Sequence, residues 1–151
     1  MKLELLEITD ENRAGCIALK VSPEQSEYIA SNEDSLREAS KAENEEIARP
    51  FAIYADGKMV GFTMFAFDEE GEDPEEKYWL WRFMIDQEYQ GEGYGRLALE
   101  EIIRYFRAQG ADGITLSTKE SNTGALNLYH QFGFRENGQM NDGEIVLKLT
   151  L

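Results

Sequence analysis

A single cysteine, Cys16, leaves this chain no internal disulfide, and a reducing compartment, the cytoplasm, is the expected setting. No stretch approaches the roughly 20 consecutive apolar residues that span a bilayer. The amino terminus, Met1-Lys2-Leu3-Glu4-Leu5-Leu6-Glu7, sets acids where a signal peptide needs an unbroken apolar run. Repeats, low-complexity tracts and Pro/Gly/Ser-rich linkers are absent. Basic charge is scarce: 15 Lys and Arg stand against 30 Asp and Glu, a net charge of −15. That balance counts against nucleic acid and anionic membrane as partners, because both demand clustered cations. No metal-ligand cluster is expected.

What is present is a globular composition, 42% hydrophobic and 11% aromatic, in 151 residues. A chain of this length buries roughly 70% of its unfolded surface, enough for one core, so residues 1–151 read as a single domain. The charge is uneven. Residues 1–76 hold 20 acidic and 7 basic side chains, whereas residues 77–151 hold 10 and 8. Such a split suits a solubility coat, or an anionic ligand in one half with a cationic one steered to the other.

Leu3 and Leu5 alternate with polar residues as a first strand, extending to about Ile8. Thr9 can cap a helix to about Lys20. Ser22-Pro23-Glu24-Gln25 has the form of a capping box with proline at the first helical position, which predicts a second helix. The stretch from Ser35 to Ile47 reads as helical. Pro50–Ala55 and Met59–Phe67 are predicted strands joined by Asp56-Gly57, a tight-hairpin dipeptide. The run Asp68–Glu76 is too acidic to pack and reads as a loop before a strand at Tyr78–Ile85. A helix follows from Tyr94 or Gly95 to Gln109, then a strand at Ile114–Thr118, a helix from Asn122 to Phe132, and a strand at Glu144–Leu149. The fold class is mixed α/β, with strand–helix–strand crossovers confined to the second half.

The most informative segment is Gln90-Gly91-Glu92-Gly93-Tyr94-Gly95-Arg96. A loop with so few side chains lets backbone N–H groups converge, and the helix behind it adds its positive end, a pocket for phosphate or pyrophosphate. Gly93-Tyr94-Gly95-Arg96-Leu97-Ala98 also fits the dinucleotide fingerprint G-x-G-x-x-A. In that fold the first glycine follows its strand almost directly, whereas here Asp86–Glu92 intervene and too little chain follows for a doubly wound sheet. A ligand-free structural loop is the remaining alternative, and closely spaced glycines weaken a helix start unless something exploits them.

Gln90-x-x-Gly93-x-Gly95 resembles the R/Q-x-x-G-x-G/A signature of the GNAT family of N-acetyltransferases. Asn122-x-x-Ala125-x-x-x-Tyr129-x-x-x-Gly133-Phe134 is similar to the family's second acetyl-CoA motif. The resemblance covers at least residues 78–134, and the element order of the first half agrees with it. It implies a mostly antiparallel central sheet, splayed at the cofactor strand, with helices on both faces. It implies acetyl-CoA as cofactor, with Phe83, Met84 and Ile85 pairing to the pantetheine arm through their backbone. A backbone N–H near Ile85 or Met84 would hold the developing oxyanion. Gln90, Gly91, Glu92, Gly93, Tyr94, Gly95 and Arg96 would cradle the pyrophosphate, and Asn122 would both cap its helix and touch the cofactor. Tyr129 would protonate the departing thiolate. Its structural alternative is a buried tyrosine between helix and sheet.

Many relatives carry a glutamate on the cofactor strand where this chain has Trp79 and Trp81, so the base does not carry over. Alternation would place Trp79, Trp81, Phe83 and Ile85 on one face, and the tryptophans could hold an ammonium by cation–π attraction. Candidate carboxylates are Glu24, Glu27 and the Asp68–Glu76 loop, with Tyr28 beside the first two. His130 faces away from Tyr129 on its helix, and Cys16 lacks a paired histidine, which favours direct attack over a thiol intermediate. Val21-Ser22-Pro23-Glu24-Gln25, Tyr28-Ile29-Ala30-Ser31-Asn32, Gly61-Phe62-Thr63-Met64-Phe65 and Trp81-Arg82-Phe83 resemble bacterial polyamine N-acetyltransferases. The resemblance thus implies acetyl transfer to spermidine or spermine, and a homodimer. The alternatives are another cationic amine (an aminoglycoside, peptide or protein amine) or a non-catalytic acyl-CoA-binding module.

Overall fold

The protein is described here by a computed structural model covering residues 2–73 and 76–151. In chain order its elements are β1 (Leu3–Glu7), α1 (Arg13–Ala18), α2 (Asn32–Ala39), β2 (Ala48–Ala55), β3 (Lys58–Phe67), β4 (Tyr78–Ile85), α3 (Tyr94–Ala108), β5 (Gly113–Thr118), α4 (Thr123–Gln131), β6 (Arg135–Asn141) and β7 (Glu144–Thr150). A short 3-10 turn at Gln87–Tyr89 joins β4 to the glycine loop. The strands form a seven-stranded sheet in the order β1-β2-β3-β4-β5-β7-β6. Every neighbouring pair is antiparallel except β4 and β5, which α3 connects as a parallel crossover. Mixed α/β architecture with a mostly antiparallel sheet is therefore borne out.

Two cores lie on opposite faces of the sheet. On one, Leu99, Ile102, Ile103 and Phe106 of α3 pack against Phe51, Phe65, Phe67, Leu80, Ile114, Leu116 and Leu147, with Tyr129 and Phe134 beside them. The apolar side of α3 expected from its spacing is the side that is buried. On the other face, Cys16 of α1 and Leu36 of α2 cover Phe62, Met64 and Met84. The β2–β3 hairpin turns at Asp56-Gly57, whose φ values of 49° and 83° are the paired positive angles of a type I′ turn.

Several boundaries differ from the sequence expectation. No helix starts at Ser22. Gln25 accepts a hydrogen bond from Gln90 at 2.7 Å, Ser26 donates to the Pro23 carbonyl at 2.7 Å, and residues 23–29 form successive turns. The capping box fails because its Gln partner is used elsewhere. Helix α2 begins earlier than expected, with Ser31 accepting from the Asp34 amide at 3.1 Å, and it ends at Ala39. Beyond it, Ser40 and the Asn44 side chain take the carbonyls of Arg37 and Glu38, and the acidic run that follows has no apolar stripe to bury. Helix α1 starts at Arg13, four residues past Thr9, because Thr9 and Asn12 exchange hydrogen bonds in a turn of their own. Strand β6 has no counterpart in the sequence pattern. It is exposed along its whole length and forms only because Asp142-Gly143, with φ of 48° and 82°, folds it back on β7. Of the expected acidic loop, Pro74 and Glu75 lie outside the described residues.

Strand β4 carries a bulge. Met64 pairs with Arg82, but Phe65 pairs with Leu80, so Trp81 is an extra residue. Alternation therefore breaks, and the four residues expected on one face divide. Phe83 and Ile85 pack on the α3 side, while Trp81 packs against the α1/α2 core. Leu80 returns to the α3 side, which leaves Trp79 on the α1/α2 face as well.

Behind β4, Gly61 on β3 sits so close that a Cβ there would lie 2.4 Å from the Met84 carbonyl oxygen. Because that atom is backbone, the strand itself would have to move. Gly61→Ala is expected to destabilise the fold by about 1–3 kcal/mol through overpacking. Chemical denaturation checks this, and an unchanged midpoint would refute it.

Candidate active site

The β4–β5 pairing consists of one register, Trp79 with Thr115. Past it the strands diverge, and a cavity of about 1600 Å³ opens between Leu80–Ile85 of β4 and Leu116–Thr118 of β5. The expected splay is thus present, and it leaves one edge of β4 without a strand partner. Which backbone groups face the opening follows from the hydrogen bonds. The Asp86 amide donates to Val60 of β3 at 2.8 Å, and Gln90 donates to the Ile85 carbonyl from the other side at 2.8 Å. Since successive residues of a strand point their N–H and C=O groups to opposite neighbours, Ile85 and Phe83 address the gap. Met84, expected to join them, turns its carbonyl toward Gly61 on β3.

Two helix N-termini border the same cavity. Gly93 caps α3 and Asn122 caps α4, yet neither makes a side-chain cap and neither first turn contains an acid. Helix α2, none of whose residues lines the opening, has both a serine cap and two acids in its first turn. Uncapped first-turn amides at a neutral helix start are an anion site. Gly91 and Gly93 hold φ of 80° and 89°, which only glycine adopts freely, and Gln90, Gly91 and Gly95 line the opening. Asn122 does not cap through its side chain as expected. It donates instead to Thr118 Oγ1 at 3.2 Å, fixing the end of β5 to the start of α4, and it lines the cavity.

Other expected loop residues stand elsewhere. The Gln90 amide is used by Ile85 and Gln25. Arg96 bonds Gln131 of α4 and lies over the Phe132 ring, while Tyr94 packs edge-on against Tyr89. Glu92 is exposed, and none of Glu92, Gly93, Tyr94 and Arg96 lines the cavity. Glu24, Tyr28, Trp79 and Trp81 all do. Residues 23–30 roof the opening, held by the Gln25–Gln90 bond and by Tyr28, whose hydroxyl donates to the Ser121 carbonyl at 3.4 Å.

Tyr129 is 9% exposed and its hydroxyl has no hydrogen-bond partner among the described residues. Burial pushes its pKa well above the ordinary phenol range, so it stays protonated. An unpartnered buried hydroxyl lining a cavity is a group waiting for a ligand atom. Cys16 is fully buried in the α1/α2 core, outside the cavity, and desolvation pushes its thiol up to about 11, away from the thiolate a nucleophile needs. His130 contacts Glu136 and does not line the cavity.

Sequence reasoning missed four polar residues here. Asp86 is buried and accepts from the amides of Lys20 at 2.7 Å and Glu88 at 3.2 Å, tying the end of β4 to the chain entering the roof. Arg82, Asp142 and Glu144 line the cavity. Only the Asp142-Gly143 dipeptide, the same hairpin signal as Asp56-Gly57, could have pointed to the last two. The cavity also divides by face. Leu116, Phe83 and Tyr129 belong to the α3/α4 side, whereas Trp79, Trp81 and Arg82, which pairs with Met64, belong to the other.

A strand edge open to an extended chain, two uncapped helix starts and a free phenol match the parts of coenzyme A: amide-bearing arm, diphosphate and sulfur. Comparison with known proteins agrees. The sequence profile of the Acetyltransferase (GNAT) family matches residues 13–134. The chain is 36% identical over 151 residues to the spermine/spermidine N(1)-acetyltransferase of Bacillus subtilis strain 168, covering 97% of both chains. Among solved structures it superposes on an acetyltransferase of Thermus thermophilus with a TM-score of 0.77 at 21% identity, covering 100% of this chain and 98% of the other. It also superposes on the PaiA N-acetyltransferase of Thermoplasma acidophilum, solved in complex with coenzyme A, with a TM-score of 0.72 at 17% identity and 100% of both chains covered.

Gly93→Ala forces a Cβ into the left-handed region, at a cost of about 1–2 kcal/mol. Nothing lies within 4 Å of that Cβ, so strain in the loop is the only effect. The free loop is expected to relax out of that conformation, so that coenzyme A must restore it, and calorimetry is expected to show its affinity reduced roughly 5–30-fold. Equal affinity would remove this loop from the binding surface.

Proposed function

Because the chain belongs to the GNAT family of acetyltransferases and is an acetyl-CoA-dependent N-acetyltransferase, we propose that its acceptor is a polyamine, spermidine or spermine. A primary amine of the acceptor attacks directly within a ternary complex. One observation carries this reading beyond the family: four carboxylates, Glu24, Glu27, Asp142 and Glu144, line the cavity together with Trp79 and Trp81. Spaced anions among aromatic faces suit a flexible chain of ammonium groups. The full-length likeness to the Bacillus subtilis relative named for spermine and spermidine supports the same reading. Action in the cytoplasm and assembly as a homodimer belong to the reading as well.

Acetyl-CoA supplies an activated acyl group as a thioester. In this reading the chain binds it along the α3/α4 side, with Phe83 and Ile85 offering backbone groups to the arm and the first turns of α3 and α4 receiving phosphate. The Ile85 N–H is placed to stabilise negative charge on the acyl oxygen, as a fixed donor that need not reorganise. Tyr129 donates its proton to the leaving sulfur. With the acetyl donor filling the cavity, little water would compete for that hydrogen bond, and the raised pKa of the phenol keeps the proton available at any physiological pH. The buried, protonated Cys16 takes no part, consistent with direct attack.

Free-thiol release with a panel of polyamines, aminoglycosides and peptide amines tests the acceptor. Release is expected with spermidine and spermine, and silence with every polyamine would end the proposal. Tyr129→Phe is expected to lower kcat by about 10²-fold while acetyl-CoA affinity is kept. Because burial raises the phenol pKa, the wild-type rate is expected to show no descending limb up to about pH 10. Unchanged turnover in the variant would assign the proton to another group.

A further inference from the structure

On the α1/α2 side of the gap one carboxylate is held differently from the rest. Glu144 opens β7, and its Oε1 accepts a hydrogen bond from Ser117 Oγ on β5 at 2.8 Å. Ser117 pairs with Val146, two residues on from Glu144, so all three side chains share a face. That face is opposite to the one on which Leu116 packs with α3 and Tyr129. Glu144 is partly buried, lines the cavity, and has one neutral hydrogen bond. Among the described residues no cation stands within ion-pairing distance of it. Arg82 on β4 is near enough to feel its charge together with that of Glu38 on α2, but it bonds Ser35 and the Trp81 carbonyl instead. Asp142 in the adjoining turn is a further anion, and Lys148 lies on the same face of β7, further from the turn. A partly buried carboxylate that lines a cavity and spends one lone pair on a neutral hydroxyl keeps its other acceptor sites for an incoming cation.

We propose that Glu144 is the residue that grips the reacting ammonium of the acceptor and takes its proton. The proposal rests on the amine-acceptor reading above and supplies the base that Trp79 and Trp81 cannot. Glu144 accepts one proton from the ammonium, and the nitrogen lone pair forms a bond to the acetyl carbon. The carbon–sulfur bond breaks, and its electron pair leaves with sulfur. Tyr129 gives its proton to that thiolate and recovers the second proton shed by nitrogen, while Glu144 releases its own to solvent. One ammonium and one thioester thus give one amide, one thiol and one proton. Ser117 is a positioning residue, aiming the carboxylate across the gap from β5.

Glu144→Gln keeps the shape and the Ser117 hydrogen bond but removes the charge. With coenzyme A bound, calorimetry is expected to show spermidine affinity reduced roughly tenfold or more, as for a hydrogen bond to a charged group. At pH 7.5 kcat is expected to fall about 10²-fold. The deficit should shrink by about tenfold per pH unit and close about two units higher, below the amine pKa near 10.4, as a growing share of the acceptor arrives deprotonated. Ser117→Ala is expected to give a smaller loss in kcat with the same pH trend. A deficit that does not change with pH, or rates and spermidine affinity within twofold of wild type, would overturn the role of Glu144 and leave the acceptor reading standing. Failure of the wild-type enzyme to acetylate any amine in the panel would overturn both.

Discussion

A strand that loses its neighbour is what everything else in this molecule accommodates. Strands β4 and β5 meet at Trp79 and Thr115 and nowhere beyond. An unpaired strand edge in a protein interior leaves donors and acceptors without partners, a cost that a closed sheet never bears. The chain meets this cost in two ways. Gln90 returns to one exposed carbonyl, that of Ile85, and the remaining edge lines an open cavity in which an extended ligand can take the missing strand's place. The surroundings hold the gap at fixed width. Gly61 lets β3 press against β4 from behind, Asp86 pins the end of β4 to Lys20, and Asn122 ties β5 to α4.

The same opening separates two chemistries. Helices α3 and α4 bring bare amides and a neutral phenol to one side, groups suited to phosphate, acyl oxygen and sulfur. Strand β7, the bulged part of β4 and the roof bring carboxylates and indole rings to the other. Direct transfer as proposed would need its donor and acceptor held at once without sharing a binding surface, and a parted sheet with differently furnished faces suits that. The bulge at Trp81 matters for this reason. Without it both tryptophans would lie on the α3/α4 side with Phe83.

Much of the fold was legible because local rules and tertiary structure agreed. Asp56-Gly57 announced its hairpin, the apolar side of α3 announced its buried face, and the glycines before it announced a helix start open to an anion. Legibility failed where a side chain had two possible partners. Ser22-Pro23-Glu24-Gln25 satisfies every local requirement of a helix start, yet Gln25 binds Gln90, 65 positions away, and the helix is lost. Strand β6 has no apolar alternation because it lies at the sheet edge, exposed throughout, and pairing with β7 alone defines it. The bulge in β4 is a matter of register against β3, which no pattern within β4 records. For the site, the motif residues pointed to a loop and a helix that both border the cavity, whereas Met84 and Arg96 address other neighbours. Glu144 is unremarkable in sequence and acquires meaning only from Ser117 on the adjoining strand.

The acidic roof, finally, acts on molecules that have not yet bound. Glu24 and Glu27 sit over the opening in the half of the chain that holds 20 acids against 7 bases. Their field favours the approach of cations and disfavours that of anions by the same route. At an ionic strength where the Debye length shrinks to about 3 Å this sorting fades: the approach of a cation slows, and that of an anion quickens. Salt therefore acts on encounters with cations and with anions in opposite directions.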